Sequence, residues 1–118
     1  MGYLNRVNKY RNTRVGKYAS KREANRAADL HALAKCSQII NLKEQVRFEL
    51  LPKCGKDRAI VYIADFVYLE WTVTPLTDRL EQSEWKKVVE DVKGFKTPIY
   101  RLKKRLMKQL LGIEIREV

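Results

Sequence analysis

A carboxylate and an ammonium two residues apart close one hydrophobic run of this chain, Val88-Val89-Glu90-Asp91-Val92-Lys93-Gly94. In an extended strand, residues i and i+2 project from the same face. Asp91 and Lys93 would then stand side by side, an oxygen donor for a hard cation next to a group that can orient a water. A second acid, Asp65, ends another hydrophobic run, Ala59-Ile60-Val61-Tyr62-Ile63-Ala64. A buried acid without a partner is costly, so Asp65 calls for a role. Glu90 points to the face opposite Asp91 and reads as structural. The chain that holds these acids has a formal charge of +11, which suits bringing a divalent metal to a polyanion.

The rest of the composition narrows the classes. A length of 118 residues fits one domain, and a hydrophobic fraction of 45% is enough for one core. Lys and Arg number 25 against 14 Asp and Glu. That excess favours polyanionic partners and fast encounter with them, although a basic surface can also serve solubility alone. Two cysteines and one histidine are too few for an ordinary structural zinc site. Cys36 and Cys54 could pair, but they read as reduced thiols of a cytosolic protein. No apolar run approaches a membrane span, and Met1-Gly2-Tyr3-Leu4-Asn5-Arg6 lacks the apolar core of a signal peptide. A soluble intracellular protein with no membrane partner is expected.

Several elements must position the acids. Residues 1–19 form a basic arm with Arg6, Lys9, Arg11, Arg14 and Lys17, no acid, and interleaved Tyr and Asn. Such an arm suits phosphate contact and base stacking, or is a tail without a role. Ser20 caps a helix running to about Cys36, with Glu23 at the capping-box position. Glu23, Ala27, Leu30 and Ala34 share one stripe, which turns Glu23 toward the protein. A strand is expected from about Gln45 to Leu51, then a turn through residues 52–57. The next strand, from about Arg58 to Leu69, places Val61, Ile63, Asp65 and Val67 on one face and Tyr62, Ala64, Phe66 and Tyr68 on the other. Both faces are apolar, so this strand is central.

Residues 70–84 are polar and read as an irregular insertion before a third strand from about Trp85 to Lys93. Thr97 and Pro98 open a second helix. Its expected apolar stripe is Ile99, Leu102, Leu106 and Leu110, with Arg101, Lys104, Arg105 and Lys108 on the other side as phosphate contacts or as a solvated face. Gly112 stops it, and Ile113 to Val118 alternates as a last short strand. His31 reads as filler. The whole is a single α/β domain over residues 20–118.

The order of elements and the placement of the acids resemble the PD-(D/E)xK nuclease superfamily. Within it the chain is similar to a group of small phage-encoded, nuclease-like proteins related to Holliday-junction resolvases. The resemblance covers about residues 9–118 and is carried by Ser20-Lys21-Arg22-Glu23-Ala24, Gln45-Val46-Arg47-Phe48-Glu49-Leu50, Ala64-Asp65-Phe66-Val67-Tyr68, Val89-Glu90-Asp91-Val92-Lys93-Gly94 and Gly112-Ile113-Glu114-Ile115-Arg116. Ala64 stands where the family motif has its Pro.

The resemblance implies a restriction-endonuclease-like αβββαβ core, a mixed central sheet flanked by helices. It implies Mg2+, with Mn2+ as a substitute, held by Asp65, Asp91 and the backbone carbonyl of Val92. Lys93 would hold or deprotonate the attacking water, or stabilise the transition state. Glu23 would orient a metal-bound water, and Gln45 could contact the site. The implied activity is metal-dependent hydrolysis of phosphodiester bonds in DNA, with branched recombination intermediates as substrate. A homodimer in the bacterial cytoplasm, of phage or prophage origin, is expected on the same resemblance. A nucleic-acid-binding protein that keeps the fold without catalysis, or a nuclease directed at RNA, remain the alternatives.

Overall fold

Ser20 caps the first helix. Its backbone is extended (φ −154°) and its side chain accepts the Glu23 N–H at 3.2 Å, starting helix α1, Lys21–Lys35. The computed structural model describes residues 16–118; the expected arm residues Arg6, Lys9, Arg11 and Arg14 lie outside the described residues. After α1 come strands β1 (Ile39–Leu51), β2 (Ile60–Pro75) and β3 (Glu81–Asp91), helix α2 (Pro98–Leu111) and strand β4 (Ile115–Glu117). The order is αβββαβ, and the four strands form one sheet in the order β1-β2-β3-β4. The first two pairings are antiparallel and β3–β4 is parallel, so the sheet is mixed. A parallel return requires a crossover, and α2 supplies it. Thr97 caps α2 by accepting the Tyr100 N–H at 3.1 Å, and Gly112 ends it in the left-handed region at φ 67°.

Two buried clusters separate the helices. Leu50, Tyr62, Ala64, Val67, Val89 and Ile115 pack with Tyr100 and Met107 of α2. Ile39, Phe66, Tyr68 and Val88 pack with Ala27 and Leu30 of α1. Val88 and Val89 fall in different clusters, as alternation along β3 requires.

β1 begins at Ile39, six residues before its expected start near Gln45, and three further expectations change. Residues 70–84 are not an irregular insertion: the β2–β3 ladder continues through Trp71↔Trp85 to Pro75↔Glu81. A short turn closes it, where Leu76 N–H donates to the Leu80 carbonyl at 2.8 Å and Thr77 Oγ1 accepts the Leu80 N–H at 3.1 Å. The polar composition is that of a hairpin wet on both faces, and Thr72, Val73, Thr74 and the two Trp suit extended backbone.

The face assignment of β2 also inverts partway. Tyr62 and Ala64 lie with Val67 in the α2 cluster, while Phe66 and Tyr68 lie in the α1 cluster. The ladder pairs Glu44↔Phe66 and Val46↔Ala64, with no Gln45↔Asp65 rung between them, and Gln45 adopts φ 53°. A left-handed residue breaks the pleat, so alternation restarts with the opposite sense. β1 shows the same change: Leu42 packs on the α1 side, Val46 and Phe48 on the α2 side. Asp65 therefore sits at an interruption in the sheet.

The third change is in α2. Ile99, Leu102 and Leu110 are 67%, 55% and 49% exposed, while Tyr100 and Met107 are buried and Leu106 packs against them. Two apolar lines overlap on this helix, and periodicity cannot choose between them. The sheet takes the line carrying the aromatic ring. Among the described residues no helix is long and apolar enough to cross a membrane, and Cys36 and Cys54 are free and exposed.

Candidate active site

The break in the sheet creates a cluster of carboxylates. Asp65 Oδ2 accepts the backbone N–H of Val92 at 2.9 Å, which ties β2 to the end of β3. Asp65 Oδ1 accepts from Gln45 Nε2 at 3.4 Å, and the same Nε2 donates to Glu23 Oε1 at 3.0 Å. One side-chain amide thus bridges two acids from different elements. Glu23 is only 6% exposed, and its Oε2 also takes the Ala19 N–H at 3.4 Å. Burial pushes its carboxyl pKa up, and the charge of Asp65 adds to that. Its place in the first turn of α1 and its place in the cluster are the same geometric fact.

Asp91, the last residue of β3, is 2% exposed. Its Oδ2 accepts a short hydrogen bond from the Tyr62 hydroxyl, and Lys93 Nζ lies 3.4 Å from Oδ1. Burial pushes the Asp91 pKa up to about 7; the Tyr62 bond opposes this and the charge of Asp65 adds to it. Lys93 lies just past β3, where its N–H donates to the Val118 carbonyl at 3.3 Å. Its ammonium stands 4.4 Å from the centre of the Tyr100 ring, a cation–π contact. Tyr100 is itself anchored by donating to Glu117 at 2.8 Å.

Glu23, Asp65, Val92 and Lys93 line a groove of about 360 Å³. Asp91, Tyr62 and Tyr100 line an adjoining one of about 280 Å³, and Lys93 and Thr97 border both. The two adjoining grooves therefore bring together all four residues expected to be catalytic, and Gln45 links Glu23 to Asp65. The charge of Asp65 opposes ionisation of Asp91, and a cation between them would relieve it. Among the described residues no group of three or more His, Cys, Asp or Glu is placed to hold a metal ion. Asp65, Asp91 and the Val92 carbonyl are oxygen donors of the kind a hard cation such as Mg2+ takes, with waters and substrate oxygens in its remaining positions.

The expected basic contacts divide. Lys17 is ion-paired with Glu44 at 2.9 Å. On α2, Lys104 pairs with Glu117 at 3.1 Å, while Arg101, Arg105 and Lys108 are exposed. Sequence reasoning missed Tyr62, Tyr100 and Glu117. Tyr62 reads as one more apolar residue of a strand, and nothing in its spacing marks the hydroxyl. Tyr100 was hidden beside a more regular leucine stripe.

Glu90 is structural, as expected. It is fully buried, takes Arg26 Nε at 2.5 Å and Nη2 at 3.0 Å, and accepts the Tyr68 hydroxyl at 2.7 Å. Arg26 lies one turn after Glu23 on α1. This bidentate pair fixes the helix that carries Glu23 to the strand that carries Asp91.

A family model described as a protein of unknown function (DUF1064) matches residues 7–114, and the chain belongs to that family. No curated protein and no solved structure matches it.

Proposed function

We propose that this DUF1064 protein is a Mg2+-dependent endodeoxyribonuclease that hydrolyses phosphodiester bonds. The observation that carries the reading is the meeting of Glu23, Asp65, Asp91 and Lys93 around two adjoining grooves, although they come from three separate stretches of chain. Buried acids whose ionisation a neighbouring acid opposes, as Asp65 opposes that of Asp91, cluster at functional sites.

In this reading Asp65, Asp91 and the Val92 carbonyl hold the cation, which when bound neutralises phosphate charge and acidifies a water. Lys93, kept in place by Asp91 and the Tyr100 ring, orients the attacking water and faces the charge that develops on the phosphate. Glu23 holds a further water through its free lone pairs. Tyr62 fixes the rotamer of Asp91, and Gln45 keeps Glu23 and Asp65 at a constant separation. Lys108, exposed on the last turn of α2, contacts the DNA backbone. Branched recombination intermediates are the proposed substrate, cut by a homodimer in the bacterial cytoplasm during phage or prophage DNA processing.

The test incubates the protein with supercoiled, linear and four-way-junction DNA, with Mg2+, Mn2+ or EDTA, beside Asp91→Ala and Lys93→Ala. Metal-dependent cutting, absent in both variants, is expected. Binding of DNA without cutting in either metal would instead make this a non-catalytic nucleic-acid-binding protein, and preferential cutting of RNA would move the substrate class.

A further inference from the structure

The β2–β3 hairpin outruns the sheet. The β1 ladder stops at Ile39↔Glu70, and among the described residues Trp71–Trp85 pairs only within itself. A free two-stranded ribbon is marginal in water, yet this arm exposes Trp71, Val73, Leu76, Leu80 and Trp85 at 49%, 48%, 60%, 61% and 38%. The two indoles pack edge to face, 5.2 Å apart. Beside them a groove of about 610 Å³ is lined by Leu33 and Ile39, open to aliphatic side chains. The arm also runs against the charge of the chain. Within residues 71–85 Asp78, Glu81 and Glu84 outnumber Arg79, with Lys86 3.8 Å from Glu84 at the base of the arm, in a protein of net charge +11. A surface of that sign is repelled by nucleic acid, so the Trp pair is poorly placed to stack on DNA bases.

Helix α2 is its complement. It exposes Ile99, Leu102 and Leu110, and it carries Arg101, Lys103, Lys104, Arg105 and Lys108 with no acid. The paired part of the arm, five residues per strand, is about 17 Å long. The helix, with 14 residues, is about 21 Å long. The two surfaces match in length, in apolar character and in opposite charge.

We propose that two copies of the chain associate about a two-fold axis, the hairpin arm of each lying along α2 of the other. A one-way contact between these surfaces would build an open filament, whereas the reciprocal exchange closes. Ile99 lines the same groove as Asp91 and Lys93, so the partner's arm lies at the mouth of the candidate site. The proposal adds the mode of association to the dimer named above and rests on no catalytic claim.

A charge swap tests it, read by sedimentation equilibrium on the full chain. The wild type forms dimers. Glu81→Lys/Glu84→Lys places cations against α2, and Arg101→Glu/Arg105→Glu places acids against the arm. All four positions are exposed, so circular dichroism should show unchanged folding. Each double variant alone self-associates more weakly, on the order of tenfold or more. Mixed together they form a heterodimer, because both of its contacts again join opposite charges. Trp71 and Trp85 are the only tryptophans of the chain, and their emission shifts to the blue as the dimer forms. A wild type that stays monomeric up to roughly 100 μM, a dimer indifferent to either double variant, or a mixture that fails to recover would each overturn the arrangement. These outcomes read mass and not cleavage, so a failure here is distinguishable from a failure of the nuclease reading.

Discussion

Gln45 donates to Glu23 at 3.0 Å from a left-handed backbone, φ 53°, in the middle of a strand. A non-glycine residue is held there at a cost of about 1 kcal/mol, and the interruption it makes is what turns Asp65 toward the cluster. Glycine would relieve the backbone, while alanine would not. Gln45→Gly is therefore expected to be more stable than Gln45→Ala by about 1 kcal/mol in denaturant unfolding, and both should lose cleavage because Glu23 and Asp65 are no longer bridged. The reverse order of stability would mean that the backbone at Gln45 is not left-handed in solution.

Asp91 is buried beside Asp65 with its pKa raised to about 7, so its charge opposes folding near neutrality. Asp91→Asn keeps an oxygen for the Tyr62 hydroxyl and removes the charge. The variant should unfold at a higher temperature than wild type in EDTA, by an amount worth about 1 kcal/mol or more. Mg2+ should raise the melting temperature of wild type and leave the variant unmoved. Calorimetry with and without the metal decides this; equal shifts in both proteins would remove Asp91 from the metal site.

Tyr100 has two separable jobs, a ring under Lys93 at 4.4 Å and a hydroxyl on Glu117 at 2.8 Å. Tyr100→Phe keeps the ring and should cost about 1 kcal/mol of stability, with cleavage nearly intact. Tyr100→Leu keeps an apolar side chain but gives Lys93 no aromatic face, and should lower the single-turnover rate by about tenfold. If Phe and Leu reduce the rate alike, the cation–π contact does not position Lys93.

Glu117 binds Tyr100, Lys96 and Lys104, the last two at 3.2 and 3.1 Å. Burial acts against its ionised form, but these partners outweigh it and lower the carboxyl pKa from 4.5 to about 2. The sign follows from linkage: the unfolded chain binds the proton first as pH falls, so the contribution is complete above pH 4.5 and disappears on the way to pH 2. Wild type should therefore exceed Glu117→Gln in melting temperature near neutral pH, and the gap should narrow through that window. A gap independent of pH would assign the loss to packing.

Much of the local structure was legible along the chain. Ser20 with Glu23, and Thr97 with Pro98 and Gly112, marked the helix ends, because caps depend on residues close in sequence. Alternation from Val88 to Lys93 correctly separated Glu90 from Asp91, because a strand has a period of two. The stretch at residues 70–84 hid a hairpin because its polar and charged residues outweigh the short alternation of Trp71 and Val73 with Thr72 and Thr74.

The amino-acid sequence by itself determined which acids and which lysine were available, and the strand and helix ends that carry them. Only the tertiary structure decided their surroundings. Gln45 inverts the faces of two strands through one left-handed dihedral, which no apolar period records. Tyr62 and Tyr100 become partners of Asp91 and Lys93 through packing between elements far apart in the chain. On α2 two overlapping apolar lines competed, and the sheet buried the one with Tyr100 and Met107, leaving Ile99, Leu102 and Leu110 outside. Local periodicity reports that a face is apolar; what covers it depends on the shape of the opposing surface.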